Sequence, residues 1–278
     1  MAKDTIPKGY ADTQFGQVHY RLLRGGPCAL VLIHWLPLSS RMYAHIMPAL
    51  ADAGFTVLAV DLLGYGRSDP RPAAWSMAQW GDTVMDAASA LGIERAGVLG
   101  GHSGACVATE IALNHPHRVS HLILDGCALP TPELRATFAK MGAAPRPTPQ
   151  EDGAHESLIW RTAHGMIKHY IPDYAPERDG LERIWPAMLD YLETDFVSSA
   201  PISGPYDLGA RLPELIGPTL LLGAEKDTLA ASFPVARTLA PGAAHHFFQG
   251  DHPIHFPARA AEYVAPIVSF LHAHQEQT

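Results

Sequence analysis

Positive charge is scarce in this 278-residue chain: 20 Lys and Arg stand against 28 Asp and Glu, a formal net charge of −8. Gripping a phosphate backbone needs a basic face, and no Lys/Arg cluster appears, so nucleic acid is excluded as a partner. Cysteine is scarce too. Cys28, Cys106 and Cys127 are an odd number without framework spacing, which points to a reducing compartment. Long apolar runs are missing: none approaches the ~18–20 residues of a membrane span. The opening MAKDTIPKGY has no apolar stretch of the secretory kind. These absences lead to the expectation of a cytoplasmic protein without a membrane partner. No low-complexity tract or solenoid-length repeat is present, and neither G-x-G-x-x-G nor a Walker loop occurs, so no nucleotide cofactor is expected. No metal is expected either. HESLI (155–159) fails the H-E-x-x-H pattern at its last position. His245 and His246 are neighbours on a predicted strand and so face opposite ways.

What the chain has in quantity is apolar residues, 47%, and punctuation, 24 Gly and 24 Pro. Such a composition suits a soluble globular protein with many tight connections. CALVLIH (28–34), FTVLAVDL (55–62), AGVLG (96–100) and VSHLILD (119–125) read as strands buried on both faces. Helical patterns lie between them, around 42–50, over 76–91 and over 104–115. The rhythm resumes with GPTLLLGA (217–224) and AAHHFFQG (243–250) as strands, and with helices over 231–240 and 257–274. Alternation of this kind predicts a mostly parallel twisted central sheet with helices on both faces. Between Gly126 and about Gly209 the rhythm breaks into helical spacing, including Ile159, Ala163, Met166, Ile167 and Tyr170, and later Ile184, Trp185, Met188, Leu189 and Leu192. We therefore expect a core formed by 1–126 and 210–278, with 127–209 as a helical lid over the carboxyl edge of the sheet, where ligands bind in open α/β sheets. Its apolar surface would also suit a homodimer.

Ser103, in GVLGGHSGAC, follows a predicted strand and precedes a predicted helix. Two readings are open: an N-capping serine in a Gly-rich turn, or the nucleophile of a strained elbow with Gly101 and Ala105 as the small flanking residues. A serine nucleophile needs a base oriented by a third group. His252 and His255 follow the last strand, and Asp227 follows the one before it; Ser103, Asp227 and His252 stand in the order Ser, Asp, His. Asp125, which ends the strand after the elbow helix, is the weaker candidate for the acid.

The segments LIHWLP, FTVLAVDLLGYGRSD, GVLGGHSGA, LLGAEKD and GDHPIHFP together resemble the lid-bearing serine hydrolase branch of the α/β-hydrolase superfamily, over nearly the whole chain. The resemblance implies a triad of Ser103, His252 and Asp227, His252 standing where family loops carry the base. It also implies an oxyanion hole from the backbone N–H groups of Leu36 and Gly104. Trp35 replaces the usual Gly of the first loop and, with His102, Trp160 and Trp185, is a candidate to line the pocket. The implied activity is cleavage of a small or medium, largely apolar carboxylic ester or lactone through an acyl-enzyme. Alternatives on the same scaffold are a carbon–carbon hydrolase of a diketone-like compound, a lyase or cofactor-independent oxygenase, and a non-catalytic binding protein. The expected partner is a small-molecule substrate.

Overall fold

The apolar runs assemble into one eight-stranded sheet of order β1-β2-β4-β3-β5-β6-β7-β8. In the computed structural model, residues 6–72, 75–129, 131, 136, 148–170, 189–190 and 206–274 are described. The strands are β1 (Lys8–Thr13), β2 (Gly16–Leu23), β3 (Cys28–Ile33), β4 (Phe55–Val60), β5 (Ala96–Gly101), β6 (Val119–Asp125), β7 (Thr219–Ala224) and β8 (Ala244–Phe248). From β4 to β8 neighbours pair in parallel, while β1–β2 and β2–β4 pair antiparallel.

Burial on both faces explains the unbroken apolar runs of the central strands. Side chains alternate across a strand. Val31, Ile33, Val98 and Leu122 therefore join one core layer, while Leu30, Leu32, Leu99 and Ile123 join the other. The first layer packs against α2 (Met77–Ala90) and α3 (Ser103–Asn114), and the second against α1 (Met47–Asp52) and the C-terminal helix α7 (Ala260–Ala273). Two short helices, α5 (Leu208–Arg211) and α6 (Phe233–Leu239), flank β7 in the chain.

Of the expected lid, α4 (Ala154–Tyr170) realises the first helical pattern. Trp185 lies outside the described residues. No helix among the described residues is long and apolar enough to cross a membrane.

The strand order places the site. From β3 the chain passes through α1 to β4 on one side, then crosses to β5 on the other side of β3. At such a switch point the loops leaving the two adjacent strands diverge and open a crevice at their carboxyl ends. The loop after β3 carries Trp35 and Leu36, and the turn after β5 carries His102 and Ser103.

Candidate active site

One residue turns the chain from β5 into α3. That residue is His102, with φ 48° and ψ −113°, the one non-glycine with positive φ among the described residues. Its backbone strain is of the order of 1–3 kcal/mol and needs firm surroundings to persist. The clearance confirms the frame. A Cβ on Gly100 would lie 2.1 Å from the Gly104 carbonyl oxygen, and one on Gly104 would lie 2.4 Å from the Ile33 carbonyl oxygen. Strand and helix thus need glycine two residues before and two after His102. The expected frame, centred on Ser103 with Gly101 and Ala105 as the small flanks, is corrected by one residue. Ser103 is the first residue of α3.

Gly101 has a different task. A Cβ there would stand 1.7 Å from the indole Nε1 of Trp35. The space that Trp35 takes in the loop after β3 is thus vacated on β5, and its ring stacks on His102 with centroids 3.9 Å apart and planes at 9°. Only 3% exposed, Trp35 packs between strand end and elbow rather than forming an open wall. His34 behind it is fully buried, its Nε2 accepting from Leu62 N–H at 3.0 Å. Burial lowers the pKa of that imidazole, keeping it neutral.

Two histidine–aspartate pairs flank the elbow. His102 Nε2 lies 2.9 Å from Asp227 Oδ2, whose other oxygen accepts the Leu229 N–H at 2.7 Å. Burial alone would raise the Asp227 carboxyl, but His102, the Leu229 N–H and His252 outweigh it and hold the group well below the usual carboxylate range. A carboxylate only accepts, so Nε2 of His102 carries a proton toward Asp227.

In the second pair His252 Nε2 lies 2.8 Å from Asp125 Oδ1, and Tyr263 donates its hydroxyl to Asp125 Oδ2 at 2.7 Å. His252 Nδ1 accepts the Ile254 N–H at 3.3 Å, and the side chains of His252 and Asp125 are each 1% exposed. Burial pulls the His252 pKa down, but the Asp125 carboxylate more than offsets it and the net shift is upward. The backbone joins the two pairs, since His102 N–H donates to the Asp125 carbonyl at 2.7 Å.

The expected residues therefore meet in a different arrangement. Asp227 partners His102 rather than His252, and His252 is held by Asp125, the candidate ranked second. Both imidazole nitrogens of His252 are engaged away from Ser103. Among the described residues, Ser103 makes one hydrogen bond, accepting the Leu36 N–H on Oγ at 2.8 Å. Ser103 is also the one half-buried residue in an otherwise buried run from Ala96 to Ala112, so access to the elbow is at its side chain. Gly104, expected to donate its N–H, lies in the first turn of α3, where N–H groups have no carbonyl partner within the helix. His255 sets its ring edge-on to Trp35 at 5.2 Å. Trp160 lies on α4 with its ring 6.3 Å from that of His164, and no described contact joins it to the elbow.

Sequence reasoning missed Tyr263, which no motif marks, and Gly126. At φ 65°, Gly126 leaves room for His102, whose Cδ2 would lie 2.5 Å from a Cβ there. Among the described residues no group of three His, Cys, Asp or Glu is placed to hold a metal ion.

A family model described as the alpha/beta hydrolase fold matches residues 29–258. The chain belongs to that family. Among alpha/beta hydrolase relatives, the 2-hydroxy-6-oxononadienedioate/2-hydroxy-6-oxononatrienedioate hydrolase of Cupriavidus pinatubonensis is 28% identical over 249 residues, covering 85% of this chain and 84% of that protein. A hydrolase from Pseudomonas aeruginosa superposes with a TM-score of 0.76 at 25% identity, covering 98% of this chain and 99% of its own. An uncharacterised Mycobacterium tuberculosis protein is 35% identical over 130 residues, and the match spans only 38% of that longer relative.

Proposed function

We propose that the protein hydrolyses a small, largely apolar carboxylic ester or lactone, with the His102–Asp227 pair as general base and water as nucleophile. The observation that carries this reading is the placing of an Asp-bound imidazole at the apex of the elbow, the position that faces the substrate crevice in this fold. Asp227 fixes the tautomer, so Nδ1 of His102 accepts a proton from water as the oxygen attacks the carbonyl carbon. Negative charge gathers on the carbonyl oxygen beside the Leu36 loop and the first turn of α3, whose positive end favours it. The intermediate then collapses, the carbon–oxygen bond to the leaving group breaks, and the imidazolium returns its proton to the departing alkoxide. Asp227 stays ionised throughout. Segment 127–209 serves in this reading as the lid that shields the crevice from bulk water.

The expected Ser103–His252–Asp227 relay would require both carboxylates to exchange partners, and the burial of His252 supports the simpler base. A second reading, cleavage of a carbon–carbon bond in a diketone-like compound, is favoured by the name of the Cupriavidus relative, and the same base and water would serve it.

Turnover of p-nitrophenyl butyrate and of a panel of lactones and β-diketones tests the proposal. His102→Gln keeps a polar ring-sized side chain and is expected to lower kcat by about 10²–10⁴-fold. Wild-type turnover by that variant would overturn the assignment.

A further inference from the structure

The Ser103 hydroxyl is accessible, ordered by a backbone N–H, and not bonded to any base. Its oxygen accepts from Leu36 at 2.8 Å. Among the described residues no imidazole nitrogen lies within hydrogen-bond reach of it, and His252 is sealed against Asp125. A serine nucleophile needs a lone pair to take its proton, and none of the described residues is bonded to Ser103 as such a base. A donor role needs only that the oxygen be held, as the Leu36 N–H holds it here, which leaves the O–H to turn toward a ligand.

We propose that Ser103 is a catalytic residue of a different kind: its O–H is the donor that receives the developing oxyanion. The N–H of Leu36, expected to bind the oxyanion directly, is already given to Ser103 Oγ. A carbonyl oxygen reaches that N–H only by displacing the hydroxyl, whereas it binds the O–H without breaking any bond. Accepting an N–H polarises a hydroxyl and makes it the stronger donor, so the charge of the Leu36 amide is passed on through the serine. Ser103 also opens a 12-residue helix, whose positive end favours an anion beside it. No bond to Ser103 forms or breaks in the reaction.

The catalytic part of this inference rests on the hydrolytic reading above, while anion recognition by Ser103 does not. The probe is therefore a stable anion shaped like the tetrahedral intermediate, methyl benzylphosphonate. Its binding is measured by titration calorimetry to wild type, Ser103→Ala and Ser103→Thr, with melting curves to establish that each variant is folded. Loss of one hydrogen bond to a charged group is expected to weaken binding to Ser103→Ala by roughly 10–100-fold, with Ser103→Thr rescuing it. On any substrate turned over, Ser103→Ala should lose about 10²–10³-fold in kcat with KM little changed.

Equal binding by wild type and Ser103→Ala, or no binding by wild type, overturns the inference. So does a fluorophosphonate adduct on Ser103 in intact-mass spectra of folded protein, which would restore the acyl-enzyme. Ser103-dependent phosphonate binding in a protein that turns over no ester, lactone or diketone would sink the hydrolytic reading and leave the role of Ser103 standing.

Discussion

Trp35 and Gly101 form one unit in which neither residue has room to change alone. Adding a methyl group at Gly101 forces the indole out of its seat against His102, so Gly101→Ala should cost about 1–3 kcal/mol as an overpacked core position. The double variant Gly101→Ala/Trp35→Gly should be less destabilised than the sum of the two single variants, and urea midpoints of the four proteins measure the coupling. The two pairs at the elbow titrate in opposite senses. Asp227 is held below its ordinary range, so its contribution is present above about pH 4 and fades as pH falls through the lower native value. The His252 pKa is raised, so its contribution is full below about pH 6.5 and fades as pH rises through the higher native value. Asp125→Asn should therefore lower stability most on the acid side of neutrality and flatten the decline above it. Urea midpoints from pH 5 to about pH 9 test the sign.

At the scale of elements, the parallel strands were the legible part of the chain. VSHLILD coincides with β6, and the runs at 28–34, 55–62 and 96–100 contain or nearly contain β3, β4 and β5. Burial on both faces leaves an unmistakable apolar run. The β1–β2 hairpin was not legible, since KGYADT, at the sheet edge, is polar and GQVHYRLL, next to it, is mixed. The elbow itself was legible, but its register was not read correctly. G-H-S drew attention to the serine, while Gly100 and Gly104, equally visible, frame His102. The histidine–aspartate pairing could not be read at all, because two acids and two histidines at neighbouring strand ends admit either exchange. Past the elbow, α3 is tied to the chain that re-enters the core. Glu110, 8% exposed, accepts the Tyr206 hydroxyl at 2.7 Å and the Arg211 Nε at 2.9 Å. Glu110→Ala strands both donors and should cost roughly 1–3 kcal/mol, whereas Glu214→Ala, removing an exposed partner of Arg211, should cost under about 1 kcal/mol. Chemical denaturation of the two variants separates them.

For the whole molecule, the sheet order gathers strand ends that are far apart in sequence along one edge, and Asp190 is held beside that edge. Asp190, 2% exposed, accepts the Ser39 hydroxyl at 2.7 Å and meets the Arg41 Nε at 3.2 Å. Ser39 and Arg41 belong to the stretch that follows Leu36, so Asp190 is fastened to the loop that orients Ser103. Asp190→Ala should accelerate limited proteolysis within 127–209 while leaving the core fragments resistant, as gel and mass analysis of the digest would record. The seat of Trp35 bears also on how such a molecule can arise. From an ancestor with a small residue at 35 and a side chain at 101, the step to Trp35 meets a collision, whereas the step to Gly101 merely opens a hollow. On that route the two changes have one order: the hollow at 101 precedes the indole that fills it, and the reverse route must give up the indole first.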